Sequence, residues 1–238
     1  MLRRLLPLLA LLLAAPAAAQ EDDDAVPTSL DGVGRISVQG GWRVTSNETL
    51  YNRWYGGKAS GVPRARDGSG APVGALTFAY AMSDLVELGI DLFGTAGRLY
   101  LNEPGEGDAP PTERRIDTVG YGALVGLRFQ TVLPEVGPYG LVPFAGILTG
   151  PVLVSSQRQG ESVQEATSQA WMGSLGATLR LSARWALTAE YRLAFMRGPI
   201  GPPNDRVGSF SGGGHWLTLG VTYTFPPEPS RPLPGRGY

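Results

Sequence analysis

The stretch 181–196, LSARWALTAEYRLAFM, separates into two faces when it is read in steps of two. Trp185, Leu187, Ala189, Tyr191, Leu193 and Phe195 share one face, and Ala186, Thr188, Glu190, Arg192 and Ala194 share the other. Successive side chains of a strand point to opposite sides of its sheet, so this order predicts a strand with one apolar and one mostly polar face. The closing stretch 215–225, HWLTLGVTYTF, does the same: Leu217, Leu219, Val221, Tyr223 and Phe225 oppose Thr218, Gly220, Thr222 and Thr224.

Working outward, period-two alternation marks eight segments, near 34–45, 73–82, 85–96, 118–130, 138–149, 169–181, 184–196 and 214–225. Each is about 10 to 13 residues long, which suits a tilted strand crossing a hydrocarbon layer better than the five or six residues usual in soluble sheets. The first sets Ile36, Val38, Trp42 and Val44 against Arg35, Ser37, Gln39 and Arg43; the third sets Val86, Leu88, Ile90 and Leu92 against Glu87 and Asp91. In the fourth, Val119, Tyr121, Ala123, Val125, Leu127 and Phe129 oppose Thr118, glycines, Leu124 and Arg128. The fifth, PYGLVPFAGILTG, is ambiguous in phase.

The connections alternate in length. Those at 46–72, 97–117, 150–168 and 197–213 are long and rich in breakers such as GGKASGVPRARDGSGAP and GPIGPPND. Those at Ser83-Asp84, 131–137 and around Ala183 are short. Long external loops and short periplasmic turns are the rule for an up-and-down barrel in an outer membrane. Several structureless loops of this size are uncommon in a soluble compact domain.

Alternation alone also fits a soluble lipocalin-like binder with its apolar faces inward. The aromatics decide between the two. With the first strand rising from the periplasm, Tyr80, Phe129, Tyr139, Trp185, Tyr223 and Phe225 fall near periplasmic ends. Trp42, Tyr121, Trp171, Phe195 and Trp216 fall near external ends, and the middle positions are aliphatic. Two such bands are expected where amphipathic rings meet lipid headgroups. The fold class is therefore an eight-stranded antiparallel up-and-down transmembrane β-barrel, all-β, over residues 34–225.

Composition agrees. The 238 residues contain 34 glycines, only 17% are charged, and 20 basic against 21 acidic residues leave a net charge of -1. No polybasic nucleic-acid binder is implied. Without cysteine there is no disulfide framework, thiolate nucleophile or Cys metal site. Residues 1–19 read as a signal peptide: Arg3 and Arg4, an apolar run from Leu5 to Ala15, and Ala17-Ala18-Ala19 before the cut. Residues 20–33, with Glu21-Asp22-Asp23-Asp24, form a polar acidic leader, and 226–238 a Pro-rich tail.

The segments LVELGIDLFG, LSARWALTAEYRLAFM with its inward Glu-x-Arg, and HWLTLGVTYTF resemble the small outer-membrane β-barrels of the opacity-protein and outer-membrane-protein-A type. The resemblance covers about 34–225. It implies a bacterial outer-membrane location, contact with outer-membrane lipids and lipopolysaccharide, and insertion by the barrel-assembly machinery. Members usually stop at a terminal aromatic read during assembly, whereas here Phe225 is followed by the tail, so Phe225 or Tyr238 takes that part. No peptidoglycan-binding domain is expected after the barrel. Some eight-stranded relatives modify lipid A, one group through a Ser-His-acid set, but His215, the single histidine, lacks the serine two positions on.

The interior of an eight-stranded barrel is just wide enough for side chains to fill. Its inward charges, Arg35, Arg43, Arg128, Arg180 and Arg192 against Glu87, Asp91 and Glu190, must pair or stay hydrated. They predict an ion-pair plug; a gate for a narrow ion path is the alternative. The first external loop carries Tyr51, Arg53, Trp54, Tyr55, Lys58, Arg64 and Arg66, contact candidates for lipopolysaccharide phosphates or another surface on a loop expected to be solvated. No catalytic or metal-ligating residue and no cofactor is expected. The sequence thus predicts a structural or surface-interaction protein. Its rivals are a narrow porin-like channel, a lipid A-modifying enzyme and a soluble lipocalin-like binder.

Overall fold

The computed structural model describes residues 29–68, 70–105, 107, 109–202 and 206–225. The expected signal peptide and tail, and most of the leader, lie outside them. Eight strands close into an antiparallel barrel: β1 (Gly34–Val44), β2 (Ala71–Ala81), β3 (Val86–Glu103), β4 (Thr112–Gln130), β5 (Leu141–Arg158), β6 (Gln164–Arg180), β7 (Trp185–Phe195) and β10 (Gly214–Phe225). Neighbours in sequence pair throughout, and β10 closes on β1 with Gly34 opposite Phe225 and Val44 opposite His215. Helix α1 (Glu48–Tyr55) and a two-stranded hairpin, β8 (Arg197–Ile200) with β9 (Gly208–Ser211), occupy the first and last external connections.

The faces sort as a membrane wall requires. Val38, Leu88, Ile90, Val125, Ile147, Leu175, Leu187 and Leu219 point outward and are exposed, whereas Arg35, Ser37, Glu87, Asp91, Arg128, Glu190 and Thr218 are buried inside. An apolar surface facing outward on every wall strand is stable only against lipid. The arrangement is the reverse of a lipocalin-like binder. β5 takes the phase that buries Val142, Phe144, Leu148, Val152 and Val154 and exposes Ile147 and Leu153.

The periplasmic turns are fixed locally. Ser83 Oγ accepts from the Val86 amide (3.1 Å) and Ser182 Oγ from the Trp185 amide (2.9 Å), so each serine closes its own turn. Asp84 Oδ1 accepts from Ser29 Oγ (2.8 Å) and from the Leu30 amide (2.6 Å), tying the end of the leader to the β2–β3 turn. These bonds, the serine hydroxyl first, hold the Asp84 carboxyl below its ordinary range.

Four strands are longer than the alternation suggested. β3, β4, β5 and β6 run for 18, 19, 18 and 17 residues, while β1, β2 and β7 have 11. At about 3.3 Å per residue, a span of 9–11 residues leaves several residues of each long strand above the outer aromatic level. The long loops expected at 97–117 and 150–168 are therefore mostly strand, since β3 runs to Glu103, β4 starts at Thr112, β5 runs to Arg158 and β6 starts at Gln164. The physical reason is a reversal of the outer surface. Above the membrane Leu99, Leu101, Ile116, Val152 and Val154 still face inward, but the outer face turns ionic, with Arg98 on Asp117 (3.1 Å) and Arg115 on Asp117 (2.9 Å). The barrel thus continues upward as a half-wall, high on the β3–β6 side and low on the β7, β10, β1 and β2 side.

Candidate functional site

Buried side chains of two kinds of chemistry gather inside the barrel. From mid-barrel toward the periplasmic end, β1, β3, β4 and β7 bring inward residues into one ionic cluster. Arg192 reaches Asp91 Oδ2 and Glu190 Oε2, each at 2.8 Å, and Arg128 lies 3.2 Å from Asp91 Oδ2 and 3.5 Å from Glu190 Oε1. Arg35 pairs with Glu87, which also lies 3.8 Å from Arg128. Three arginines face three carboxylates, so the cluster is neutral as a group. Gln39 Nε2 donates to Glu190 (3.0 Å) while its Oε1 accepts from Thr218 Oγ1 (2.7 Å), and the Arg128 guanidinium stands over the Phe144 ring (5.2 Å). Toward the periplasm, hydroxyls run across four strands: Ser37 to Thr222 (2.7 Å), Thr222 to Thr188 (2.6 Å) and Thr188 to Thr178 (3.0 Å). Arg180 is buried on the same inward face at that end.

Above the cluster the interior turns apolar. Phe93, Leu124, Leu148, Met172, Ala194 and Trp216 form one buried group with Leu99, Leu101, Ile116 and Val154 of the half-wall. Helix α1 lays Leu50, Tyr51 and Trp54 onto this group from above, and the hairpin adds Ile200 and Phe210. The first external connection is therefore a folded cap and not the solvated loop expected. Trp54 Nε1 donates to the Asn102 carbonyl (3.0 Å), while Tyr55 Oη accepts from the amides of Asn102 (3.0 Å) and Ala65 (2.8 Å). Arg64 forks onto Glu48 (2.9 and 2.5 Å) and stands over the Tyr51 ring, and Arg66 covers the Tyr100 ring. The hydrogen bond from Arg64 holds Glu48 below the ordinary carboxylate range, and burial raises the Tyr51 phenol.

Several sequence expectations are corrected by this geometry. Tyr51 and Trp54, expected as external contacts, are buried because the mouth above the half-wall offers them an apolar floor. Arg53, Lys58, Arg64 and Arg66 remain exposed, and Tyr55 is half-buried. Trp216, placed in the outer aromatic band, points into the lumen and tilts on Phe93 with ring centroids 5.3 Å apart. It shares the parity of Thr218 and Gly220, which the strand turns inward. Tyr80, Phe129, Tyr139, Trp185 and Phe225 are exposed at the periplasmic end with Tyr223 partly so; Trp42, Tyr121, Trp171 and Phe195 are exposed toward the outside. Trp185, Tyr223 and Phe225 pack edge to face, at 5.1 and 4.9 Å.

Arg43 does not join the ionic cluster. It sits at the outer mouth, 3% exposed, and donates to the Gly212 carbonyl of the last connection. Glycine at 97 leaves room for its guanidinium, since a Cβ there would lie 2.7 Å from Nη2. Gln39 and the hydroxyl ladder escaped the sequence reading, although their parity with Arg35 and Arg43 already placed them inward. His215 is exposed on the outer face and shares a 2.6 Å hydrogen bond with Tyr191 Oη. Among the described residues no group of three or more His, Cys, Asp and Glu is placed to hold a metal ion.

A closed eight-stranded antiparallel barrel with an apolar outer wall is an outer-membrane β-barrel protein. The chain belongs to the family described as outer membrane protein beta-barrel domain, whose model matches residues 5–225. The fold is shared with the outer membrane protein OprG from Pseudomonas aeruginosa, at 14% identity over 82% of this chain and 96% of that one, with a TM-score of 0.52. Similar over 82% of this chain are Neisserial surface protein A (16% identity, 98% of that chain, TM-score 0.44) and Ail of Yersinia pestis (12%, 99%, 0.41). No curated protein matches the sequence.

Proposed function

We propose that the protein is a sealed outer-membrane barrel whose role is structural or one of surface interaction, exercised by the cap and half-wall above the membrane, and that it is not an enzyme. The observation that carries this reading is the double filling of the lumen. The ionic cluster closes it at mid-height and the apolar group under α1 and the hairpin closes it at the mouth. A neutral cluster whose charges pair with one another has no spare charge to attract a permeating ion. Removal of 1–19 after export, delivery by the barrel-assembly machinery and contact with lipopolysaccharide belong to the same reading.

Single-channel recording of the purified barrel in planar bilayers tests it. A silent bilayer that becomes conducting only when a known porin is added is the expected result. Discrete openings by the wild-type barrel, abolished when the cluster is altered by Glu190→Ala, would instead make the cluster a gate and the protein a narrow channel.

A further inference from the structure

Among the described residues, arginines gather at one place above the membrane without the carboxylate partners they have elsewhere on the outer surface. Between the last turn of α1, the outer end of β6 and the β8–β9 hairpin lies a surface pocket of about 330 Å³. Arg53, Arg197 and Arg206 line it together with Thr167, Ser168 and Ser209. None of its described lining residues is acidic, and none of the three arginines makes an ion pair among the described residues. The contrast with the rest of the outer surface is sharp. Arg64 is held by Glu48 and Asp67, Arg66 by Glu113, Arg98 and Arg115 by Asp117, and Arg114 and Arg158 by Glu103.

A second cavity, of about 900 Å³, adjoins this pocket and shares Arg197, Ser168 and Ser209 with it. It is lined by Arg43, whose Nε has no hydrogen-bond partner and which makes no ion pair among the described residues, and by the first residues of α1. Helix α1 opens there without a side-chain cap. The acids on that wall, Glu48 and Asp67, are engaged by Arg64. Among the described residues, two adjoining hollows therefore carry positive charge from four arginines that make no ion pair, together with a helix N-terminus. Like charges held together without counter-charges favour binding of an anion with several acceptor oxygens.

We infer that this paired hollow is an oxyanion site that takes a phosphate group, with Arg197 at the wall common to both halves. Its height suits a headgroup of the outer leaflet. Ser168 stands three residues beyond Trp171, about 10 Å along the strand from the outer aromatic level. A soluble phosphate offers the same oxygens. The inference rests on the reading of the outer face as an interaction surface, and its test does not involve conductance.

The test uses the folded barrel in zwitterionic detergent. One arm titrates inorganic phosphate by calorimetry; the other adds phosphatidic acid or phosphatidylcholine and counts retained lipids by native mass spectrometry. Binding of either phosphate source in preference to phosphatidylcholine, weakened roughly tenfold or more by Arg197→Gln with Arg206→Gln, is the expected result. Arg114→Gln, which alters an arginine already paired with Glu103 and outside both hollows, should bind as wild type. Asn47→Asp keeps the acceptor that holds the Ser211 amide but sets a carboxylate in the larger cavity, so it should weaken binding without disturbing the fold. Heat-dependent gel mobility reports that each variant is folded. Phosphate binding in the first arm identifies a soluble ligand as sufficient, and retention of phosphatidic acid alone identifies a headgroup. The inference is overturned if wild type prefers neither source, or if folded Arg197→Gln/Arg206→Gln binds as tightly as wild type.

Discussion

Single residues in the lumen carry unequal burdens, and Glu190 carries the heaviest. It accepts from Arg192, Arg128 and Gln39 together, so Glu190→Ala leaves two buried guanidinium groups short of charge. Removing one partner of a buried ionic group costs about 3–5 kcal/mol, because the remaining charges stay desolvated. A lowered urea midpoint in folding followed by gel mobility is expected, whereas replacing Glu190 and Arg192 together by leucines should cost less than Glu190→Ala alone. Trp216 makes a second test at this scale. Buried against Phe93, it should lose about 3–5 kcal/mol on Trp216→Ala, while the exposed Trp171 should lose far less. Fluorescence with brominated lipids separates them directly: quenching falls in Trp171→Phe and is unchanged in Trp216→Phe. Equal quenching losses would return Trp216 to the lipid-facing band.

At the scale of elements, what was legible in the sequence follows from where hydropathy and parity agree. Between the aromatic levels the lipid-facing side is apolar and the inward side polar, so β1, β7 and β10 emerge from alternation alone. Above the outer level the agreement inverts. In β3 the inward Leu99 and Leu101 are apolar and the outward Arg98 is charged, so the same parity carries the opposite chemistry and the strand reads as a loop. Trp216 has the aromatic type of the outer band but the parity of Thr218, and parity sets the face to which a strand side chain points. Helix α1 is too short, at eight residues, to stand on its own helical propensity, and it is held by packing on a floor assembled from distant strands. Trp54→Ala should therefore raise amide exchange across 48–55 while leaving the temperature of the gel-mobility shift nearly unchanged. Acid should loosen the same element. Glu48 titrates below its ordinary value of 4.5 in the folded protein, so its pairing with Arg64 stabilises the cap above that value and is lost as pH falls through the lower folded one. Glu48→Gln at neutral pH should reproduce the acid effect on exchange, after correction for intrinsic rates, and a flat response would assign the cap entirely to its apolar contacts.

For the whole molecule the two fillings of the lumen are separable, because they rest on different residues and different forces. The ionic cluster is set by wall residues of β1, β3, β4 and β7, and none of them belongs to the cap. The apolar group combines wall residues such as Leu124, Leu148 and Met172 with side chains lent by α1 and the hairpin. Replacing 46–69 by a short Gly/Ser linker should therefore leave a folded, heat-modifiable barrel, since the residues that close the wall lie outside that segment. It should also leave the bilayer silent, because the cluster and the wall-borne apolar residues still occupy the bore. Conductance is expected only when this deletion is combined with loss of Glu190 and Arg192, which hollows both heights at once. Openings in the deletion alone would show that the cap is the seal and the ionic cluster a passage. Openings in Glu190→Ala/Arg192→Ala with the cap intact would show the reverse, that the apolar mouth is itself permeable and the charges alone hold the barrel shut.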